Sequence, residues 1–437
     1  MFTIGLSGRR FINHYPEMFR ELDEVSVHDG WSQFRKFTGE KIGEPVPFGQ
    51  ATGGDASLGW NELPMVTQIR PLFHAMLYHQ IARFNIPVSY GRRVVEYYED
   101  PPRGIAGVKT ESGDCEEAGI VIAADGLHSY SHDVVLGGQS KPQPSGRSIF
   151  RAAWDLDLAM KDPLVAKEFG LKDGKYPVFQ AWAGPETHCM CLTYVDKYGK
   201  NGRMLWGLNF VESPEQQSMI ESWHQTVSSA YVIDFINQNI PGYAESMKAL
   251  IRTMPEGRIV FWPLLPRDPN PCVHSKGGRI LQVGDAAHAF LPTSGNGATQ
   301  AIEDGVTIAA CLQHAGKDNV PLAVKTHALL RGDRVSCCQL LGFYNAERLQ
   351  KTDMKTVGNN EKGAGKVKPK VPKFIFQHDP EKYANENFEK AAASLQGGAA
   401  FHNTNIPPGY KPEPWTMAGI EQLYKEGKQI ELLGDWS

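Results

Sequence analysis

One stretch constrains this chain more than any other: Arg279 to Cys311, RILQVGDAAHAFLPTSGNGATQAIEDGVTIAAC. Ile280, Leu281 and Val283 make a short apolar run of the kind a buried strand needs, and Gly284-Asp285 breaks it. Pro292 to Gly297 is too rich in Gly, Ser and Asn to be regular. From Ala298 the pattern turns helical, with Ala301, Ile302, Gly305, Ile308 and Ala309 on overlapping turns. The unit reads as strand, polar turn, glycine loop, helix. A helix start offers N–H groups without internal acceptors and a partial positive charge, and flanking glycines let an anion or a carbonyl-rich ring reach the backbone. Asp285, at the carboxyl end of the strand, is placed to accept hydrogen bonds from sugar-type hydroxyls. An ordinary strand-to-helix connection shares this outline, so the wider pattern decides.

Gly284-Asp285-Ala-Ala-His288, then Pro292, Gly295-Asn-Gly297 and Glu303-Asp304, is a longer string than a lone glycine pair. It resembles the second flavin-binding signature of the FAD-dependent aromatic hydroxylases, the group A flavoprotein monooxygenases related to p-hydroxybenzoate and salicylate hydroxylases. Two more stretches resemble that family in the expected order. Arg70-Pro-Leu-Phe-His74 is similar to its Arg-x-x-Leu-His segment, with Phe73 for Leu. Val121 to Gly126, followed by Ser129, is similar to its Asp-Gly fingerprint, with His132 where an Arg is usual. The likeness runs from about residue 4 to about residue 390. It implies that FAD is the cofactor and NAD(P)H a transient co-substrate. It further implies that Arg70, Asp125, Gly284, Asp285, Pro292, Gly295, Gly297 and Ala298 bind the flavin. Asp285 would meet the ribityl or pyrophosphate-side hydroxyls, and the Gly297 and Ala298 N–H groups the ring. The family opens with a strand, a Gly-x-Gly-x-x-Gly turn, a helix and a second strand. Met1 to Val25 already resembles the family segment on the C-terminal side of that unit, so a unit of roughly forty to fifty residues is missing from the pattern.

Between Ser148 and Leu265 the texture changes. Ser148–Trp154, Val178–Ala183, Cys189–Val195 and Met204–Val211 read as strands separated by Gly and Pro, without helices between them, which favours an antiparallel sheet. Trp154, Phe179, Trp182, Tyr194, Trp206 and Phe210 suit either a flat apolar ligand or a core. Pro214 to Leu250 reads as helices with a Pro241-Gly242 break, and Val324 to Met354 as one or two long helices. Gly358 to Lys373 reads as a linker, and Pro380 to Leu395 as a helix in a tail that clamps or dimerises.

The expected fold class is α/β. A FAD/NAD(P)-binding Rossmann-like domain, lacking its N-terminal βαβ unit, is interleaved with a substrate domain built on an antiparallel β-sheet, and a C-terminal helical tail follows. The boundaries are 1–140 and 266–357 for the FAD-binding domain, 141–265 for the substrate domain, and 358–437 for linker and tail. Apolar content of 41%, charged content of 22% and a net charge of -4 give no reason to expect nucleic acid or an anionic membrane as partner. No apolar run reaches the roughly 18 residues of a membrane helix, and no metal-ligand spacing is present among the seven cysteines. Reduced, mostly buried thiols and a cytoplasmic location are expected.

The resemblance makes the reaction a hydroxylation of a phenolic or related aromatic small molecule with NAD(P)H and O2, of the kind used in fungal secondary metabolism. By similarity to fungal phenol-hydroxylating members, Arg151 and Tyr194 are the catalytic candidates. An Arg holds a phenolate or carboxylate as a charge-assisted pair, and a Tyr donates or relays a proton. A sheet-edge ion pair for Arg151 and packing for Tyr194 are the plainer roles. Arg331 and Arg334 read as structural, and His288 as a hydrogen-bonder at its turn. Two other functions share these motifs: a non-catalytic remnant with weak or no FAD binding, and a FAD-dependent oxidoreductase that inserts no oxygen.

Overall fold

The computed structural model describes residues 2–52, 60–138, 144–212 and 224–437. Its early strands are β1 (Phe2–Gly5), β2 (Trp31–Lys36), β3 (Lys41–Pro47) and β4 (Met65–Gln68). Then come β5 (Val94–Asp100), β6 (Ile105–Thr110), β7 (Cys115–Ala118) and β8 (Val121–Ala123). The middle of the chain holds β9 (Arg147–Asp155), β10 (Val178–Gly184), β11 (Thr187–Tyr194), β12 (Arg203–Val211), β13 (Thr226–Val227) and β14 (Ile259–Pro263), and β15 is Ile280–Gln282. The four strands expected between 148 and 211 all form. They belong to an eight-stranded sheet in the order β13-β14-β9-β12-β11-β10-β2-β3. All its pairs are antiparallel except β10 with β2. The sheet therefore reaches back for two strands that lie before residue 140 in the chain.

Period-two alternation splits this sheet into two faces. Phe150, Trp154, Trp182, Trp206, Phe210 and Phe261 point one way and form a core with Val232, Ile236, Met247, Leu250 and Ile251. Those five lie on the Ser229–Asn239 and Glu245–Arg252 helices, so most of the aromatic set is packing. The expected helix start at Pro214 lies outside the described residues.

The Rossmann-like part centres on β8 and β15, which run parallel with Val121 opposite Ile280. Ile120 to Ala123 is apolar throughout, as a strand buried on both faces should be. Instead Ile122 is 43% exposed, because β15 is the only strand paired with β8 among the described residues and nothing there covers that face. Helices Gly297–Ala315, Val320–Gln350 and Pro380–Leu395 pack behind β15, with Leu281, Ile308, Cys311, Val324, Leu330, Ala384 and Phe388 in one core.

The Gly358–Lys373 segment is not a linker. It forms a helix, Glu361–Val367, followed by a short turn at Lys373–Phe376, and Val367, Ile375 and Phe376 are buried. Gly363 makes this folding possible, since a Cβ there would fall 1.8 Å from the Gly358 carbonyl oxygen. Among the described residues no helix is long and apolar enough to cross a membrane. Five cysteines are buried, Cys115 and Cys272 are exposed, and all seven are free thiols.

Two buried histidines make stability depend on pH. Burial, with Arg147 nearby, lowers His188 to about 3, and burial lowers His327 to about 4. His188 accepts through Nδ1 from Gln350 Nε2 at 2.9 Å. A depressed histidine means that, between about 6.5 and the folded value, the unfolded chain binds a proton that the folded chain refuses. Stability therefore falls as pH drops through that window, by up to ~1.4 kcal/mol per unit for each histidine. Urea titrations at pH 7, 6 and 5 should show this slope, and His188→Asn should flatten it. Equal slopes in both proteins would refute the assignment.

Candidate active site

Because β8 and β15 are parallel and in register, their carboxyl ends lie on one edge, where open α/β sheets bind ligands. The Asp125-Gly126 and Gly284-Asp285 turns leave from that edge. Asp125 is exposed and accepts from the Tyr97 hydroxyl at 2.8 Å. His132, where the resemblance led us to expect Arg, ties the two turns together. Its Nδ1 lies 2.7 Å from Ser129 O and its Nε2 lies 2.9 Å from Ala286 O. The Gln282 amide adds a bond to Ser131 Oγ at 2.8 Å.

Asp285 opens to solvent on one side while protein atoms crowd it on the others. Burial raises its carboxyl above the ordinary aspartate range, opposed by His288 and by Arg70. Arg70 is the first residue of the Arg70–Arg83 helix, so its guanidinium is delivered to the Asp285 side by a rigid element.

The glycine loop follows. Pro292–Ser294 is a single 3-10 turn, and Gly295 ends it with φ +58, a left-handed conformation that favours glycine. The Gly297–Ala315 helix starts with no side-chain cap, and its first bond to the loop runs from Gln300 N to Asn296 O. The N–H groups of Gly297, Ala298 and Thr299 thus have no acceptor within the helix. An uncapped helix start beside a left-handed glycine, with a crowded carboxylate and an arginine near it, fits the carbonyl edge and ribityl chain of a flavin. FAD would be held by Arg70, Asp285 and the Gly295–Ala298 backbone, with Asp125, Gly284 and Pro292 shaping the turns around it.

Behind the loop lies a buried set of charges in which Arg331 and Arg334 have a structural role. Glu303 accepts from Arg334 Nε at 2.7 Å, Arg331 Nη1 at 2.6 Å and Ser7 Oγ at 2.7 Å. Asp304 accepts from Arg331 Nε at 2.8 Å, His288 Nε2 at 2.6 Å and Gly284 N at 2.9 Å. Burial acts to raise both carboxyls, and the surrounding cations overcome it and hold both well below the carboxylate range. Asp304 fixes the Gly284 turn, and the Arg331 guanidinium also bonds Gln300 Oε1 at 2.7 Å, bracing the first turn of the loop helix. The Glu303-Asp304 pair at its helical position was the available sequence signal.

Of the two catalytic candidates, Arg151 stands opposite Gly207 on β12, on the face away from the aromatic core. Its guanidinium lies 4.6 Å from the centre of the Trp262 ring. His188 shares that face and bonds Gln350, on the helix whose Gly342 carbonyl accepts from Thr293 Oγ1 of the loop at 2.7 Å. The Arg151 face and the glycine loop therefore meet the same helix. Tyr194 lies on the same sheet face farther along β11: fully buried with Val27, Leu192 and Leu205, it donates its hydroxyl to Val25 O at 3.1 Å. Burial raises this phenol to about 12. Its placement is that of a packing residue with its proton already engaged.

Known proteins resemble this chain in sequence and fold. A family model described as an FAD binding domain matches residues 270–350, the glycine loop and the long helix after it. "FAD-dependent monooxygenase fsr3" of Gibberella fujikuroi is 39% identical over 433 residues, spanning 98% of this chain and 80% of that protein. "FAD-dependent monooxygenase dmxR9" of Cryptosporiopsis sp. is 38% identical over 449 residues, spanning 100% of this chain and 82% of that one. Among solved structures, CtdE in complex with FAD and a substrate has a TM-score of 0.77 at 25% identity, covering 90% of each chain. A salicylate hydroxylase substrate complex has the same fold, with a TM-score of 0.67 at 20% identity over 90% of each chain.

Proposed function

This chain belongs to the FAD-dependent monooxygenases, and on that premise we propose that it hydroxylates a phenolic or related aromatic small molecule, taking electrons from NAD(P)H and oxygen from O2. The observation that carries this reading is the uncapped, glycine-lined start of the Gly297–Ala315 helix beside the Gly284-Asp285 turn, with Arg70 close enough to act on Asp285. Bound there, FAD supplies the electron acceptance and oxygen activation that side chains lack.

The chain's own residues do the remaining work. Asp285 and Arg70 orient the ribityl side, and the N–H groups of Gly297 and Ala298 favour negative charge at the ring edge facing them. Pro292 keeps one side of the cleft free of an N–H donor and of flexible side chains. Arg151, stacked over Trp262, is placed to hold a phenolate or carboxylate by a charge-assisted pair and so to orient the ring for attack. Tyr194 acts indirectly, by fixing β11 against Val25.

The test starts with the visible spectrum of the purified chain after FAD addition and desalting. NAD(P)H oxidation and 18O2 incorporation with a panel of phenols follow. Flavin bands with labelled product support the reading. A colourless protein favours the remnant, and NAD(P)H-dependent turnover without label favours the oxidoreductase. On an active substrate, Arg151→Ala should cut kcat/KM about a hundredfold or more while FAD retention stays unchanged. Arg151→Lys should recover only part, because a point charge replaces a fork. Unchanged kinetics in Arg151→Ala would remove Arg151 from the site.

A further inference from the structure

The large apolar side chains that face solvent concentrate on one stretch, at Leu72, Tyr78, Phe84, Ile86, Val88 and Tyr90. Ile86 is 54% exposed and Tyr90 72%. Large apolar residues at every second position from Phe84 to Tyr90 are the pattern of a strand, yet this segment belongs to no sheet. Ile86 N bonds Ile81 O at 3.1 Å, and Tyr90 folds back beside Tyr78 of the Arg70–Arg83 helix. Among the described residues, Val88 and Tyr90 donate no backbone bond to another backbone group. Pro87 has no N–H, which closes one side of the segment to pairing and leaves the Val88 and Tyr90 side for a partner.

β8 presents a second open edge. Val121 N donates to Arg279 O at 2.8 Å and Ala123 O accepts from Val283 N at 3.0 Å, so β15 takes the backbone groups of alternate residues. Those of Ile122 point the other way, where the described residues place no strand. The two edges are neighbours: Tyr97, on β5 soon after Tyr90, donates to Asp125, just beyond β8. A second copy of this chain, pairing edge to edge about a two-fold axis, matches each edge with itself and brings no layer over Ile122. Two strands that continue the parallel direction of β8 and β15 fill both edges, and such strands need a crossover helix, which covers the face. That partner is a βαβ unit, the piece the sequence pattern lacks. A fifth of the Gibberella relative lies outside its match to this chain, ample for a unit of roughly forty to fifty residues. We propose that Phe84–Tyr90 and the β8 edge form a docking surface for a separately supplied βαβ unit of the Gly-x-Gly-x-x-Gly type, whose strands pair with the two edges and whose helix covers Ile122. Docking stands on open backbone and apolar burial, so it does not rest on the FAD reading.

The test uses the full chain and a Gly-x-Gly-x-x-Gly βαβ unit from a relative, co-expressed as a separate tagged polypeptide. The two should co-purify, and backbone hydrogen exchange should slow about tenfold or more at both 86–90 and 121–123. Val88→Lys sets a charge on the pairing segment and should weaken association about tenfold or more, with the chain's own melting temperature unchanged because Val88 is exposed. Leu433→Lys, at an exposed leucine in the C-terminal segment, is the control and should leave association intact. If the separate unit does not stay soluble, joining it ahead of Met1 through a Gly/Ser linker gives the same exchange readout in one polypeptide and decides alone. No association, association that Val88→Lys leaves untouched, or protection at one edge only would overturn the proposal. So would a wild-type dimer in light scattering that Val88→Lys splits, because a second copy would then hold the face.

Discussion

Glu303→Gln is expected to cost about 3–5 kcal/mol of stability, because it leaves Arg331 and Arg334 in a buried site with one carboxylate between them. The two guanidinium groups are almost completely buried, and Glu303 is the anion that touches both. The loss should depend on pH in a defined direction. The folded Glu303 carboxyl is held well below its ordinary value of 4.5, so its contribution is fully present above that value. It is lost as pH falls towards the folded value, when the unfolded chain takes up a proton first. Urea unfolding of both proteins should therefore give the full difference at pH 7 and a shrinking one below about 4.5. A difference under ~1 kcal/mol at pH 7 would show that the cluster contributes little beyond a surface pair. FAD retention should fall along with stability, since Gln300 ties the cluster to the first turn of the loop helix.

The sequence made the local units legible and left their mutual arrangement dark. The Gly284-Asp285 turn, the Pro292–Gly297 loop and the helix after it are coded within thirty or so residues, by breakers and periodicity that act locally. So are the strands that became β9 to β12. The recruitment of β2 and β3 into the same sheet was invisible, because cross-strand pairing has no local signature when the partners lie more than a hundred residues apart. The misreading of Gly358–Lys373 has a different cause. Its Gly, Lys and Pro content resembles that of a free linker, yet Val367 and Ile375 are buried and Asn345 and Arg348 supply bonds to its backbone. Arg331 and Arg334 were read as structural, which is right in kind. Their reach to Gln300 and Ile375 could not be read from a spacing of three on one helix. Tyr194 and Arg151 show the limit most plainly: both point to the same face of the sheet, and only the packing around each separates a buried phenol bonded to Val25 from a guanidinium stacked on Trp262.

The second large effect concerns the loop itself. Gly295→Val should reduce FAD affinity about a hundredfold, which corresponds to about 2.7 kcal/mol. Gly295 has φ +58, where a β-branched residue is strongly disfavoured, and a Cβ there would lie 3.1 Å from Met65 Cε. The apoprotein can relieve this strain by letting the Pro292–Gly295 turn reopen, so its melting temperature should fall only modestly. Binding requires the turn to be restored, so the strain reappears in the affinity. Gly305 is the control within the same helix. It is exposed, lies in ordinary helical backbone, and a Cβ added there would meet nothing within 4 Å. Gly305→Ala should raise stability by about 0.5–1 kcal/mol and leave FAD binding alone. Fluorescence titration of FAD with the three proteins separates the cases. Equal affinity for Gly295→Val and wild type would mean that the left-handed turn is not what presents the helix start to the cofactor. A large loss in Gly295→Val beside an unchanged Gly305→Ala would locate the requirement at that single backbone conformation.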